Sequence, residues 1–295
     1  MKALNASTVE KPALPVKILQ FGEGNFLRAF VDWMIDKANQ AGKMNHGVAI
    51  VQPIAGGDFV RDLFAKQDNL YHVYLEGIKD KQPVKEVALV KCITGVYNPY
   101  SDYKTYESIF LSEELEMIVS NTTEAGIRYE EGDDLNAEPP ASFPAKMTAL
   151  LYKRFKKFNG DAAKGLSIIC CELIEDNGST LRQYVLQHAA FNKLGADFEH
   201  WVNSHCHFYD TLVDRIVPGF PKENIQEIQA EIGFEDNLVV KGEYFHVWAI
   251  GGDSSIKQKL PLDQAGLNVL FMDDIREFRA KKVRILNGSH TGMVP

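Results

Sequence analysis

Toward the end of the chain, Lys282-Val-Arg-Ile-Leu-Asn287-Gly-Ser-His290 sets a lysine, an amide and an imidazole in the pattern K-x4-N-x2-H. Reducing a ketone takes a hydride donor, a proton for the nascent alkoxide and a hydrogen-bond donor to hold that oxygen. Lysine, asparagine and histidine supply the last two. On a helix turning about 100° per residue, Asn287 lies about 140° and His290 about 80° from Lys282. All three then face one cleft, with Leu286 and Met293 between them, if the helix runs that far. Lys282 trades protons near neutral pH only where burial or a cationic neighbour such as Arg284 works against its ammonium form. A surface lysine, a helix end at Asn287-Gly288 and an ordinary polar histidine give the same string, and spacing alone leaves both readings open.

A rival constellation is His200, His205, Cys206 and His207 in HWVNSHCH. On one helix His205 and His207 point about 200° apart, so they cannot share an ion without a break in the helix. The expectation is a polar helix face and no metal.

Near the start, Gly22 and Gly24 form G-x-G between the apolar run Val16 to Phe21 and a helical pattern of Phe26, Ala29, Phe30, Trp33 and Met34 that runs out at Gly42. Such glycines permit a tight turn and a backbone bare enough to approach a pyrophosphate. The third fingerprint position is Leu27. Gly22, Gly24, Asn25 and Phe26 are therefore candidate cofactor contacts, as is Arg28, which either reaches a phosphate or pins the loop. A second strand, Gly47 to Gln52, closes a βαβ unit but ends in Gln52-Pro53 without the acid that binds ribose hydroxyls in NAD sites. Asp58, in IAGGD, is the nearest acid, and Arg61 close by would suit an adenosine phosphate. NAD is the expected cofactor and NADP stays open.

Asn121-Thr122-Thr123-Glu124 follows the apolar strand Met117 to Ser120, placing hydroxyls and a carboxylate where α/β proteins bind ligands. Thr122, Thr123 and Glu124 join the cofactor candidates; a solvated turn is the alternative. Cys171-Glu172 ends the strand Leu166 to Cys171, and Asn177-Gly178 beyond it reads equally as a simple turn.

The elements that must position these residues read as an α/β chain. From Tyr71 to Val96 rough alternation predicts antiparallel strands inserted beside the main sheet. Tyr129 to Pro144, rich in glycine, aspartate and proline, reads as a long surface loop. Past Asn177 the pattern reads as mainly helical, and from Asp274 as a helix leading into NGSHTG.

The 295 residues, 45 % of them hydrophobic, can furnish a substantial core. No apolar run approaches a bilayer span, and the first fifteen positions lack a secretory pattern, so a cytoplasmic protein without membrane contact is expected. Cys92, Cys170, Cys171 and Cys206 are too sparse for a disulfide framework. A net charge of −8 argues against nucleic-acid binding and leaves an anionic small molecule open as substrate.

The strings QFGEGNFLRAFVDW, SNTTEAGI, CELI, LVDRIVPGFP, LNVLFMDDI and KVRILNGSHT, spread from Gln20 to Thr291, are similar to those of the mannitol dehydrogenase family of polyol-specific long-chain dehydrogenases. The resemblance implies a Rossmann-like dinucleotide-binding domain over residues 1–275 and, from 276, the start of a helical substrate domain cut short at Pro295. It implies hydride transfer between a nicotinamide and a sugar alcohol or sugar acid, without a metal. Lys282 would be the general acid/base, Asn287 an oxyanion donor and His290 a substrate contact, with Asp214 and Glu172 lining the substrate pocket. Polyol-oxidising members read C-D-N where this chain has Cys171-Glu172-Leu173. That departure favours the sugar-acid branch, which interconverts D-tagaturonate and D-altronate with NAD, over neutral polyols. Ending so soon after the lysine motif, the chain is expected to bind cofactor and turn over poorly, or to act only as a nucleotide-binding module.

Overall fold

A computed structural model of the chain describes residues 1–56 and 58–282. A short strand β1 (Lys2–Ala3) precedes β2 (Val16–Phe21). After the glycine turn come α1 (Asn25–Leu27), a π-helical turn at Arg28–Asp32, and α2 (Trp33–Gln40). Next are β3 (Gly47–Val51), α3 (Asp58–Lys66), the hairpin β4 (Tyr71–Lys79) and β5 (Gln82–Val90), then β6 (Ile93–Tyr97) and α4 (Tyr103–Phe110). They are followed by β7 (Met117–Ser120), α5 (Phe143–Lys157), β8 (Ser167–Cys170), α6 (Asn177–Phe191), α7 (Ala196–His205) and β9 (His207–Asp214). The last elements are α8 (Ile225–Ile232), β10 (Phe234–Glu235), β11 (Val240–Glu243), β12 (Val247–Gly251), α9 (Ile256–Lys259), β13 (Val269–Met272) and α10 (Arg276–Lys282).

The main sheet has eight strands in the order β13-β12-β9-β8-β7-β2-β3-β6. From β6 to β9 every pairing is parallel, while β12 runs antiparallel to β9. Its parallel strands are near-continuous apolar runs because both faces are covered. Along β2, Ile18 enters one core cluster and Leu19 and Phe21 the other; along β3, Val48 and Ile50 separate from Ala49 and Val51 in the same way. The period of two splits each strand between the two cores.

Two sequence expectations are corrected here. The hairpin β4–β5 is antiparallel, as its alternation predicts, but it pairs with β11 in a separate three-stranded sheet, while β6, in the same stretch of chain, is a parallel strand of the main sheet. Nor is the chain mainly helical past Asn177, since β9 to β13 all lie there. In β9 (HFYDTLVD) the buried positions are Tyr209, Thr211 and Val213, and the polar Thr211 among them blurs the period-two signal.

The π-helical turn frees backbone carbonyls in the first helix. That of Arg28 accepts from the Tyr71 hydroxyl at 3.0 Å, and that of Ala29 from Arg215 Nη1 at 2.5 Å. These bonds tie the helix behind the glycine turn to β4 and to the segment after β9.

Candidate functional site

Counted along the chain, the parallel strands take the spatial order 3-2-1-4-5-6, so connections leave in opposite directions from β2 and β7 and their carboxyl ends fork. The glycine turn sits at this fork. Gly22 N donates to Val51 O and Asn121 N to Phe21 O, each at 3.0 Å, stitching the turn to the ends of β3 and β7. Gly22 has φ +126°, and a Cβ there would meet Asn121 O at 3.1 Å. At Gly24 a Cβ would meet nothing within 4 Å, so this backbone faces open space from which a phosphate can approach. A cavity of about 380 Å³ opens at the carboxyl ends of β2, β3 and β7, lined by Phe21, Pro53, Asn121, Thr122, Phe143 and Lys146 among others. A second cavity, about 350 Å³, is lined by Asp176, Asp210, Asp273 and Asp274 and would repel a pyrophosphate.

Beneath the turn, Gln20 Nε2 donates to Gly22 O at 3.1 Å and lies 3.4 Å from Asp32 Oδ2. Asp32 is wholly buried, accepts from the Tyr71 hydroxyl at 3.1 Å, and is pushed by burial up to about 7. Among the described residues its Oδ1 and Gln20 Oε1 have no partner. Nothing in the sequence pattern marked either residue.

Of the predicted cofactor residues, Arg28 is turned inward. Its guanidinium donates to Leu238 O at 2.8 Å and Asn25 Oδ1 at 2.5 Å, between the rings of Phe64 and Tyr71. It pins the loop and does not reach a phosphate, and Asn25 is its partner. Phe26 stacks on Phe30 at 5.0 Å. Asp58 opens α3 beyond β3, with its carboxylate 3.0 Å from both Asn98 Nδ2 and Arg61 Nη1. Arg61 is thereby held by acids, which disfavours the adenosine-phosphate reading. Thr122 and Thr123 line the cavity at the fork; the exposed Glu124 is not among its lining residues.

Glu172 is 2 % exposed, and its carboxylate accepts from Thr122 N and Oγ1 at 2.9 Å and from Ser120 Oγ at 3.1 Å. Burial pushes its proton affinity up, against these bonds. So placed, it braces the threonine loop and presents no free face to a substrate, contrary to the expectation from resemblance. Asn177, which reads in sequence as a turn, is wholly buried. Its amide reaches the carbonyls of Cys170, Glu172 and Thr211 and accepts from Thr211 N, joining the ends of β8 and β9.

Helix α10 crosses that same edge. Arg279 donates to Ile174 O at 3.0 Å and Thr211 O at 3.1 Å, which brings Lys282 Nζ to 3.0 Å from Asp214 Oδ2 at the carboxyl end of β9. Among the described residues the charged neighbour of Lys282 is an anion, and Arg284, the cationic neighbour the sequence suggests, lies outside them. Next to Asp214, Arg215 lies over the Trp33 ring at 4.2 Å and donates to the carbonyls of Ala29, Tyr244 and Phe245. Asn287, His290, Arg284, Leu286 and Met293 lie outside the described residues.

In the histidine cluster, α7 ends at His205, Cys206 is extended and His207 opens β9, so the helix break that a shared ion required is present. Among the described residues no group of three or more His, Cys, Asp or Glu side chains could hold a metal. All four cysteines are buried free thiols. No helix among the described residues is long and apolar enough to cross a membrane.

Comparison with known proteins agrees with this geometry. Residues 16–264 match the family model of the mannitol dehydrogenase Rossmann domain. The altronate oxidoreductase of Bacillus subtilis is 47% identical over 281 residues, 95% of this chain and 58% of that relative. That of Phocaeicola vulgatus is 44% identical over the whole chain and 61% of its own length. The chain therefore spans about three-fifths of the relatives it matches. Among solved structures, substrate-free D-sorbitol dehydrogenase superposes with a TM-score of 0.80 at 21% identity, covering 98% of this chain and 62% of that one. Mannitol 2-dehydrogenase from Pseudomonas fluorescens, in ternary complex with NAD and D-mannitol, gives 0.75 at 23% identity, with coverages of 94% and 57%. At such identities these structures bear on the fold.

Proposed function

The chain belongs to the mannitol dehydrogenase family, and from that premise we propose that it carries the cofactor site and acid/base lysine of an NAD-dependent oxidoreductase interconverting D-tagaturonate and D-altronate. Support for the substrate comes from the activity for which its relatives are named, altronate oxidoreductases at 47% and 44% identity. Support for the site comes from one observation above the rest: Lys282 Nζ stands 3.0 Å from Asp214, an anion that favours the proton-donating ammonium form, on the carboxyl edge of the sheet whose fork holds the glycine turn.

A dinucleotide fits the residues present. The open backbone at Gly24 leaves space for a pyrophosphate, Asp58 follows β3 as the nearest acid for ribose hydroxyls, and the cavity beside Thr122 and Phe143 has room for an adenosine. When bound, the nicotinamide supplies or accepts the hydride. In the reductive direction Lys282 donates a proton to the substrate oxygen, and in the oxidative direction it takes that proton back. Asp214 holds the ammonium in position, and Arg279 holds the helix that carries it. Asn287 and His290 are assigned, through the family motif, to oxyanion stabilisation and substrate contact. Residues from 276 onward begin the substrate-binding part, and the protein works in the cytoplasm on a small anionic sugar.

The reading is tested by following NADH and NADPH consumption with tagaturonate and with fructose, using this chain and a form extended to the length of its relatives. NADH oxidation that depends on tagaturonate supports it. Consumption with fructose and none with tagaturonate overturns the substrate assignment.

A further inference from the structure

Lys146, on the first turn of α5, is 3 % exposed and lines the cavity at the fork. Its Nζ donates to Ala141 O at 2.5 Å and lies 5.6 Å from the centroid of the Tyr100 ring. Among the described residues no carboxylate lies within ion-pair distance of it. Asp133, the acid that bears on it electrostatically, is engaged by Ser142 N at 3.1 Å. The other cation on the cavity wall, Arg128, is exposed and paired to Glu130 at 2.7 Å.

This placement is costly in three ways. The ammonium is removed from water, it lacks a counter-charge, and it sits near a helix N-terminus, where the dipole disfavours cations. An ammonium has three N–H donors, and protein atoms take one of them. Such a group is accounted for if a ligand in the cavity supplies the missing acceptors.

Sheet order tells which part of a dinucleotide that would be. Lys282 marks the reacting end on β9, whereas the cavity lies at the carboxyl ends of β7, β2 and β3, farther along the sheet. The half nearest Lys146 is therefore the one remote from the nicotinamide. We infer that Lys146 is a cofactor contact, donating from the first turn of α5 to the adenosine nucleotide half of a dinucleotide held at the fork. This inference rests on the proposed cofactor reading and adds to it a binding residue that neither the glycine fingerprint nor the lysine motif includes. The groups facing Lys146 are Tyr100, Asp133, Arg128 and the backbone of Ala141.

The test measures AMP and NADH binding by calorimetry for the wild type and for Lys146→Met, which keeps much of the side chain's length and removes its charge. A charge-assisted hydrogen bond predicts at least about a tenfold loss of affinity for both ligands in the variant. Burial lowers the Lys146 ammonium to about 8. Wild-type AMP affinity should then fall as pH rises through that value, and Lys146→Met should lack the step, which a purely structural role would not produce. Equal AMP affinity in both proteins at every pH overturns the inference and leaves the cofactor reading standing. A wild type that binds AMP with the expected pH step but does not bind NADH overturns the cofactor reading instead. Should Lys146→Met fail to fold, Lys146→Gln and the wild-type pH step decide in its place; absence of that step counts against the inference.

Discussion

Asp214 Oδ2 and Lys282 Nζ stand 3.0 Å apart, one at the end of β9 and the other at the end of α10. The pair joins the last parallel strand of the main sheet to the helix that carries the proposed acid/base. Lys282→Met should lower kcat by roughly a hundredfold to ten-thousandfold, the range for losing a general acid/base. Asp214→Asn keeps the shape and loses the charge, and a drop of roughly tenfold to a hundredfold from misplacement is expected. Steady-state kinetics on the extended form check both, and wild-type kcat in Lys282→Met would remove the lysine from the chemistry.

The two glycines of the turn should part company on substitution. Gly22→Ala forces a side chain onto a backbone at φ +126° and against Asn121 O, so a loss of about 1 to 3 kcal/mol of stability is expected. At Gly24 an added Cβ meets no protein atom within 4 Å, so the melting temperature of Gly24→Val should hold while NADH affinity falls by at least about tenfold. Thermal melts paired with NADH titrations separate the two. A Gly24→Val protein that binds NADH normally would show that the cofactor does not approach there.

Asp32, pushed up to about 7 by burial, gives the fold a pH dependence of defined sign. Between its ordinary value of 3.8 and about 7 the folded state holds a proton that the unfolded chain has released, so stability falls as pH rises through that window. Asp32→Asn keeps the acceptor for the Tyr71 hydroxyl and cannot ionise. It should flatten this slope and gain on the order of a few kcal/mol above pH 7 relative to pH 4. Denaturant melts across that range check it, and parallel pH profiles for variant and wild type would contradict it.

Glu172 predicts a contrast between conservative and deleting changes. Glu172→Gln retains an acceptor for Thr122 N and Oγ1 and should cost less than about 1 kcal/mol. Glu172→Ala leaves those buried donors and Ser120 Oγ unsatisfied, and about 2 to 4 kcal/mol of stability should be lost along with NADH affinity. Melts and NADH titrations of the two variants test whether it braces the cofactor loop.

How far the sequence carried this account depended on whether the decisive interactions were local. Strands β2 and β7 are apolar runs whose ends are visible as glycine and asparagine, and both match their expected bounds. The lysine motif could be proposed from the sequence because its residues share one segment. Which of its two readings Arg28 follows could not be told from the sequence because its partners, Leu238 O and the Tyr71 ring, come from distant segments. The same long-range pairing hid Asp214 as the neighbour of Lys282, Asn177 as the knot between β8 and β9, and Lys146 as part of the cavity wall. Strands β9 to β13 escaped because they are short or place polar residues on a buried face, so their periodicity is weak.

The most direct measurement is transfer of label from NADH deuterated at the reactive carbon to tagaturonate, catalysed by the extended form and read by mass spectrometry of the product. The account predicts altronate carrying one deuterium, formed by the wild type and lost in Lys282→Met. Unlabelled product, or labelled product formed equally well without the lysine, would contradict it.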